Sequence, residues 1–449
     1  MKIRALFLSF FVLLMVAEVT AQLYAGVSKK VITPGLPFHL TGYASRIKPS
    51  TEKVHDLWAK ALFIESGRDA KTVIVTTDVL GLTPQIHSEV VELLKQKFGF
   101  QKSQVILNSS HTHSGPMIWP SLEKIGDYDS SIVKSFIRYN HFLVNAIVEI
   151  VGDAVKNKFP ANITSGHGLA DFAMNRRQMV NGKVINGKNP GGSKDHDVPV
   201  LKVANNKGGI EAVLFGYACH NTTVTGANYQ INGDYAGFAQ IELEKAYPGA
   251  TALFFTGCAG DQNPQPRGTL ELAEQHGNTL ANAVKVVLNK NMKPVNGNVR
   301  SQIKETTLQF VPFDVKKYEE ELTGYNPFMQ RRARLMLEAY NHGWDVTRYE
   351  YPVQAMRIGN SLTFISLAGE VVVDYALKLK KIYPKENLFI AGYCNHVMGY
   401  IPTKKILEEG GYEAEENLIY YAKPGPFAHD VEDRIFNTIR ALMSGLGVK

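Results

Sequence analysis

Val105-Ile106-Leu107-Asn108-Ser109-Ser110-His111-Thr112-His113-Ser114-Gly115-Pro116 opens as an unbroken apolar run and closes on two histidines and a Gly-Pro turn. A short run of β-branched and aliphatic residues without polar alternation is the pattern of a strand buried on both faces. Residues 72–78, 212–217 and 252–257 repeat it, each run ending near Gly, Asp or His. Between these runs, residues 88–95 and 135–154 place apolar side chains three and four apart, the helical period. Strand and helix alternate, which predicts an α/β fold with a mixed sheet and flanking helices.

In such folds the polar residues just beyond the carboxyl ends of buried strands line the ligand crevice. His111 and His113 follow the strand around Leu107, and His220 follows the one through Tyr217. Gly260-Asp261-Gln262-Asn263-Pro264 follows the strand through Thr256. Residues 362–367 read as another strand, after which Glu370 opens a helix running from Val371 toward Lys381. Residues 388–393 lead into Asn395-His396-Val397-Met398-Gly399-Tyr400-Ile401-Pro402. If the first strand continues through His113, residues two apart share a face and both imidazoles reach one site. Zinc accepts imidazole nitrogen, and a catalytic zinc keeps one position open. His-x-His by itself is equally the mark of hydrogen-bonded core histidines. Candidates from both halves of the chain point to one shared catalytic unit.

At the amino terminus Lys2 and Arg4 precede an apolar stretch to Ala17, and Val19-Thr20-Ala21 offers a small-residue cleavage site. Residues 1–21 therefore read as a signal peptide, with residues 22–449 a single exported catalytic domain, secreted or periplasmic. No later run reaches the roughly 18 apolar residues of a membrane span. The formal charge of +7 is spread among acids, as in Lys316-Lys317-Tyr318-Glu319-Glu320-Glu321, so no nucleic-acid surface is expected. The 3 cysteines, Cys219, Cys258 and Cys394, are too few for a disulfide framework and lack Cys-x-x-Cys spacing, so they read as small buried apolar groups. No Gly-x-Ser-x-Gly elbow marks a serine nucleophile, and Ser114 suits a turn. Asn189-Pro190-Gly191-Gly192-Ser193 lacks the lysine of a phosphate loop and reads as a mobile loop.

Ser110 to Pro116 resembles the Thr-His-Thr-His-Ser-Gly-Pro signature of neutral/alkaline ceramidases, zinc amidases that cleave the N-acyl bond of ceramide. Ala25-Gly26-Val27-Ser28, Ile32-Thr33-Pro34 and Gly42-Tyr43-Ala44 look like that family's opening. Val54 to Ala61 is similar to its next block, and His220-Asn221-Thr222-Thr223 with Asn232-Gly233-Asp234-Tyr235 to its second histidine block. The resemblance runs to Tyr412. It implies Zn2+ held by His111, His220, Glu370 and Tyr400, with His113, Arg176 and Tyr412 around it. Metal-activated water would then attack an acyl amide, His113 assisting proton transfer and Arg176 with Tyr412 steadying the oxyanion. Tyr400 either binds the metal or stays protonated and donates to substrate. Where the family has Gly-Asp-Val-Ser-Pro-Asn, this chain has Asn263 in place of the serine, a residue that can donate to an oxyanion but cannot be a nucleophile. The chain stops soon after Tyr412, so no carboxyl-terminal β-sandwich is expected. Met117-Ile118-Trp119-Pro120 is a candidate apolar rim for an acyl chain. The implied substrate is a lipid or small-molecule acyl amide, ceramide foremost, with room for peripheral contact with a membrane. A deacylase of acylated sugars or glycan fragments is the alternative, and a non-catalytic lipid- or carbohydrate-binding homologue the third.

Overall fold

The computed structural model describes residues 22–118 and 128–448. The signal-peptide segment and the Trp119-Pro120 half of the expected rim lie outside the described residues. Among those described, no helix is long and apolar enough to cross a membrane.

The apolar runs form the predicted mixed sheet. In spatial order its strands are Thr251–Thr256, Ile210–Tyr217, Asp197–Asn205, Phe159–Leu169, Tyr24–Val31, Trp58–Gly67, Ala70–Thr77 and Val105–Ser109. The two outermost pairs are parallel and the rest antiparallel. Tyr24–Val31 and Phe159–Leu169 share only a two-residue register, Tyr24 with Pro160 and Ala25 with Phe159, so the sheet is two halves on a narrow joint. Those halves fold until the edge strands meet. Asn108 closes the seam: its side-chain oxygen accepts from the Thr256 N–H at 2.9 Å, and the Thr256 hydroxyl donates to the Ser109 carbonyl at 2.9 Å. The loops that follow the two edges are thereby brought together, although 147 positions separate them in the chain.

Helices cover the outer faces. Ser130–Lys156 starts at Asp129, whose carboxylate accepts from the Ser131 and Ile132 N–H groups. It buries Phe136, Leu143, Ile147 and Val151 against one half of the sheet. Asp234–Ala246 and Leu270–Leu288 cover the other half. The opposite face is covered by a second sheet, Val299–Gln309, Arg348–Ile358, Leu362–Leu367 and Leu388–Ala391, where Phe364 and Phe389 meet Phe255 at ring distances of 5.1 and 6.0 Å. Val105, Ile106 and Leu107 are each 0% exposed, as their unbroken apolar pattern requires.

One ionic network ties the layers. His167 bonds Asp197 through Nδ1 at 2.9 Å and the Asn387 side-chain oxygen through Nε2 at 2.8 Å, while Lys380 reaches Asp197 at 2.9 Å. Burial pulls the His167 imidazole down, but the Asp197 hydrogen bond and charge outweigh it and leave its pKa raised. A raised folded-state pKa stabilises fully below the unfolded value of about 6.5 and is lost as pH climbs through the folded value. The thermal midpoint of the protein is expected to fall as pH rises above that point, and to fall less in His167→Asn. Parallel pH profiles in differential scanning calorimetry would refute this.

Candidate metal centre

The strand carrying the first histidine motif ends at Ser109, before either histidine. His111 sits at φ 62, a left-handed turn held by its N–H to the Val79 carbonyl at 3.0 Å. The two rings do meet, edge to face with centroids 4.9 Å apart, but a backbone reversal brings them together and strand alternation does not. The turn has a second effect. It aims His111 Nδ1 at the Leu80 carbonyl, 2.5 Å away.

Glu370 also departs from expectation. It opens no helix: Glu370–Val371 is a short strand, and the helix is Asp374–Ile382. This strand pairs in parallel with Tyr400–Ile401, Glu370 opposite Tyr400, so the two oxygen donors stand side by side. Gly260 allows the loop after Thr256 to pass close by, since a Cβ there would lie 2.6 Å from the Glu370 carbonyl oxygen.

Four donor atoms converge. Glu370 Oε2 lies 3.1 Å from His111 Nε2 and 3.0 Å from His220 Nε2, and Tyr400 Oη lies 3.2 Å from His220 Nε2. His220 Nδ1 faces the Ala259 carbonyl at 2.7 Å. A carbonyl oxygen only accepts, so both Nδ1 atoms carry the proton and both Nε2 atoms present lone pairs. Two lone pairs and a carboxylate oxygen, all buried, repel one another unless a cation or an added proton lies among them. A proton on His220 is disfavoured, because burial and then Arg176 pull its imidazole down to about 4. The donor set therefore suits a divalent cation, and imidazole nitrogen with carboxylate and phenol oxygen suits zinc. His113 stands closer than a bystander. Its Nε2 is 3.2 Å from His111 Nε2, and the ligand atoms of His111, His113 and His220 all lie within 4.8 Å of one another.

Arg176, on the Ala173–Val180 strand, is 4% exposed. It donates to Glu413 Oε1 at 2.7 Å, Tyr400 Oη at 2.9 Å and Asn263 Oδ1 at 3.4 Å, and stands 5.6 Å from the Tyr412 ring centre. Burial opposes the guanidinium charge, but Tyr400 and Glu413 outweigh it. Burial pushes the Tyr400 phenol well above its ordinary value against the pull of Arg176, so the protein atoms alone keep it protonated. Thr222 also donates to Asn263 Oδ1, at 3.3 Å, leaving the Asn263 amide N–H groups available.

These groups open on a cavity of about 270 Å³ whose wall includes His111, His113, Arg176, Asn263, Glu370, Tyr400 and Tyr412. Every site residue expected from sequence thus lies on this cavity or, for His220, directly against Glu370 and Tyr400. A sequence profile described as neutral/alkaline non-lysosomal ceramidase, N-terminal, matches residues 24–270, more than half of the chain. The chain belongs to the neutral/alkaline non-lysosomal ceramidase family. It is 26% identical to neutral ceramidase B of Dictyostelium discoideum over 249 residues, 51% of this chain and 34% of that protein. With the neutral ceramidase of Pseudomonas aeruginosa it shares 25% over 237 residues, 50% of this chain and 34% of that one. These matches span about a third of the relatives' length. The crystal structure of neutral ceramidase from Pseudomonas aeruginosa has the same fold, with TM-score 0.73 at 18% identity, covering 95% of this chain and 75% of that one. The ceramidase profile stops before Glu370, Tyr400 and Tyr412, which join the centre only through the fold.

Other pocket residues went unassigned in the sequence, among them Tyr43, Asn186, Arg267, Tyr420 and Tyr421. Tyr43 lies in the Gly42-Tyr43-Ala44 block, the one signal that pointed there. Tyr421 donates to Glu370 Oε1 at 2.5 Å, which leaves Oε2 for the histidines. Because such outer partners orient a ligand, Tyr421→Phe is expected to weaken zinc binding about 10–100-fold, read by competition with a chelating dye. Unchanged affinity would remove Tyr421 from that role.

Two expectations meet other outcomes, and a third, that the cysteines are small buried groups, holds. Met117 and Ile118 are 2% and 1% exposed and belong to the core under the Ser130–Lys156 helix, so they form no rim. The glycine-rich segment is tied down, with Gly192 N–H on the Asn189 carbonyl and the Asn175 amide on the Ser193 carbonyl, both near 3 Å. The cysteines are unpaired and buried, and none belongs to the donor cluster.

Proposed function

We propose that the protein is an exported zinc-dependent amidohydrolase that cleaves the N-acyl bond of a ceramide-type lipid. One observation carries the reading: His111 Nε2, His220 Nε2 and Glu370 Oε2 face one another as acceptors in a buried centre that opens on a cavity. Family membership supplies the substrate class, since the named relatives are ceramidases.

His111, His220 and Glu370 would hold the metal, and Tyr400 would offer a fourth donor. When bound, a divalent cation polarises an acyl carbonyl and makes water nucleophilic near neutral pH. The remaining steps belong to the chain. His113 presents its ring beside His111 and takes a proton at Nε2, then returns it to the leaving amine. Arg176, fixed by Glu413 and Tyr400, directs positive charge at the carbonyl oxygen as it becomes an oxyanion, and Tyr412 and the Asn263 amide donate alongside it. Asn263 cannot form an acyl intermediate, which favours water over a side chain at that position as the nucleophile.

The test is release of fatty acid from N-acylsphingosine by the metal-analysed protein, before and after chelation and zinc return. Turnover that ignores the chelator, or none with zinc bound, overturns the reading. A second reading rests on the wall itself: five tyrosines, Asn186 and Arg267 outnumber the aliphatic Leu80 and Ala44, a surface that also suits an acylated sugar. Acyl-sugar substrates in the same assay distinguish the two.

A further inference from the structure

Arg267 is the one pocket arginine that the mechanism leaves without a task. It lies on the loop after the Gln262–Pro264 strand and is half-buried in the cavity wall. Its one hydrogen bond among the described residues goes from Nη2 to Tyr43 Oη at 3.3 Å, and it takes part in no ion pair there. A guanidinium has five N–H donors in a planar fork. Most of them remain for a ligand.

The backbone that carries the fork is held in place from several sides. Gln265 N–H donates to the Phe172 carbonyl and Gly268 N–H to the Thr223 carbonyl, each at 2.8 Å. The Pro266 carbonyl accepts from His276 Nε2 at 2.7 Å, and Thr269 caps the following helix through its bond from Leu272 N–H. Tyr43 is equally constrained. Its hydroxyl donates to the Val224 carbonyl at 2.8 Å and so turns an oxygen lone pair toward Arg267. The backbone on both sides of Arg267 and its side-chain partner are thus set before a ligand arrives.

The charge around this wall is uneven. Arg176 and Arg177 share Glu413, and Arg177 also has Glu409. Arg46, 9% exposed beneath Tyr43, has only neutral oxygen partners: the carbonyls of Thr41, His113 and Asn228 and the Ser114 hydroxyl. Its guanidinium lies 4.9 Å from the Tyr43 ring centre. Asp234, a carboxyl that acts on Tyr43, is buried and already accepts from the Val224 and Tyr235 N–H groups. Among the described residues neither Arg46 nor Arg267 thus has an ion pair on the Tyr43 side of the cavity.

We propose that Arg267, oriented by Tyr43, anchors an anionic group on the substrate, a carboxylate or a sulfonate- or phosphate-like oxyanion. The proposal rests on the amidohydrolase reading for the bond cleaved, while the anchoring itself is a binding property. A bidentate Arg–oxyanion contact in a partly closed cavity gives both affinity and orientation. Substrates of this kind are acyl amides that carry an acidic group, ceramide-type lipids with an anionic head group among them.

Three probes of one acyl length separate the cases: N-dodecanoylglycine, N-dodecanoyltaurine and the neutral N-dodecanoylethanolamine. Each is titrated calorimetrically into the zinc-loaded full chain, and initial rates are measured in parallel. At least one anionic probe is expected to bind about tenfold or more tighter than the neutral one, the size of a charge-assisted contact. In Arg267→Gln that ratio falls to about one, while Arg267→Lys keeps part of it as a point charge without the fork. Melting curves of both variants confirm folding. A glycine or a taurine preference tells planar from tetrahedral oxyanions. Equal binding of all three probes, no binding of either anion, or a ratio that survives Arg267→Gln overturns the inference. Preferential anion binding without turnover upholds it and refutes the hydrolase reading; turnover without preference does the reverse.

Discussion

His220→Ala is expected to lower bound zinc from about one ion per chain to background and to abolish metal-dependent hydrolysis. The imidazole is wholly buried, with Nδ1 committed to the Ala259 carbonyl, so its Nε2 is fixed toward the centre. A stability measurement separates this from simple damage. Zinc that binds only the folded protein adds about 4 kcal/mol at a thousandfold excess over Kd, so the wild-type melting temperature should climb with zinc and that of the variant should stay level. Without zinc the two should lie closer than the 2–5 kcal/mol of an ordinary large-to-small core change. Losing the ring opens a cavity but also relieves the opposition of His220 Nε2 and Glu370 Oε2. A variant that keeps stoichiometric zinc and full rate would refute the assignment of His220.

Arg176→Met should show two losses that can be measured apart. Removing the donor aimed at the developing oxyanion is expected to lower kcat about 10²–10³-fold. Breaking one side of a buried ion pair costs about 3–5 kcal/mol, and the lower end is expected because Arg177 still reaches Glu413 Oε2 at 2.7 Å. Arg176→Lys should recover little, since one ammonium cannot serve Glu413, Tyr400 and Asn263 from a planar fork. Glu413→Gln provides the contrast: it loses stability yet keeps the arginine, so kcat should fall less. A kcat in Arg176→Met within threefold of wild type would exclude Arg176 from the chemistry. Urea unfolding and steady-state kinetics on the same preparations give both readings.

The buried strands were legible because their apolar runs leave no polar face, and the helices because their apolar residues recur with the helical period. Local geometry at the site was less so. His111 and His113 were rightly paired for the wrong reason, since a left-handed residue at His111 leaves no trace in side-chain type. Glu370 looks like a helix start because Asp374–Ile382 follows so closely, yet its partner is Tyr400, thirty positions away, and cross-strand partners do not show in a local pattern. Tyr420 and Tyr421 had no signal: nothing in their surroundings in the chain marks them until the hydroxyl of Tyr421 is placed on Glu370.

By itself the sequence determined the class of fold, the strand ends where polar chemistry gathers, and, through the His-Thr-His segment, the family. These are properties of short windows, in which burial dictates residue type. The tertiary structure alone decided that a site exists. It closes the Asn108–Thr256 seam, sets Glu370 beside Tyr400, and turns three acceptors toward one point in a buried space. Electrostatic opposition falls off over a few ångströms, so it appears only once the folded chain has brought residues hundreds of positions apart to that distance.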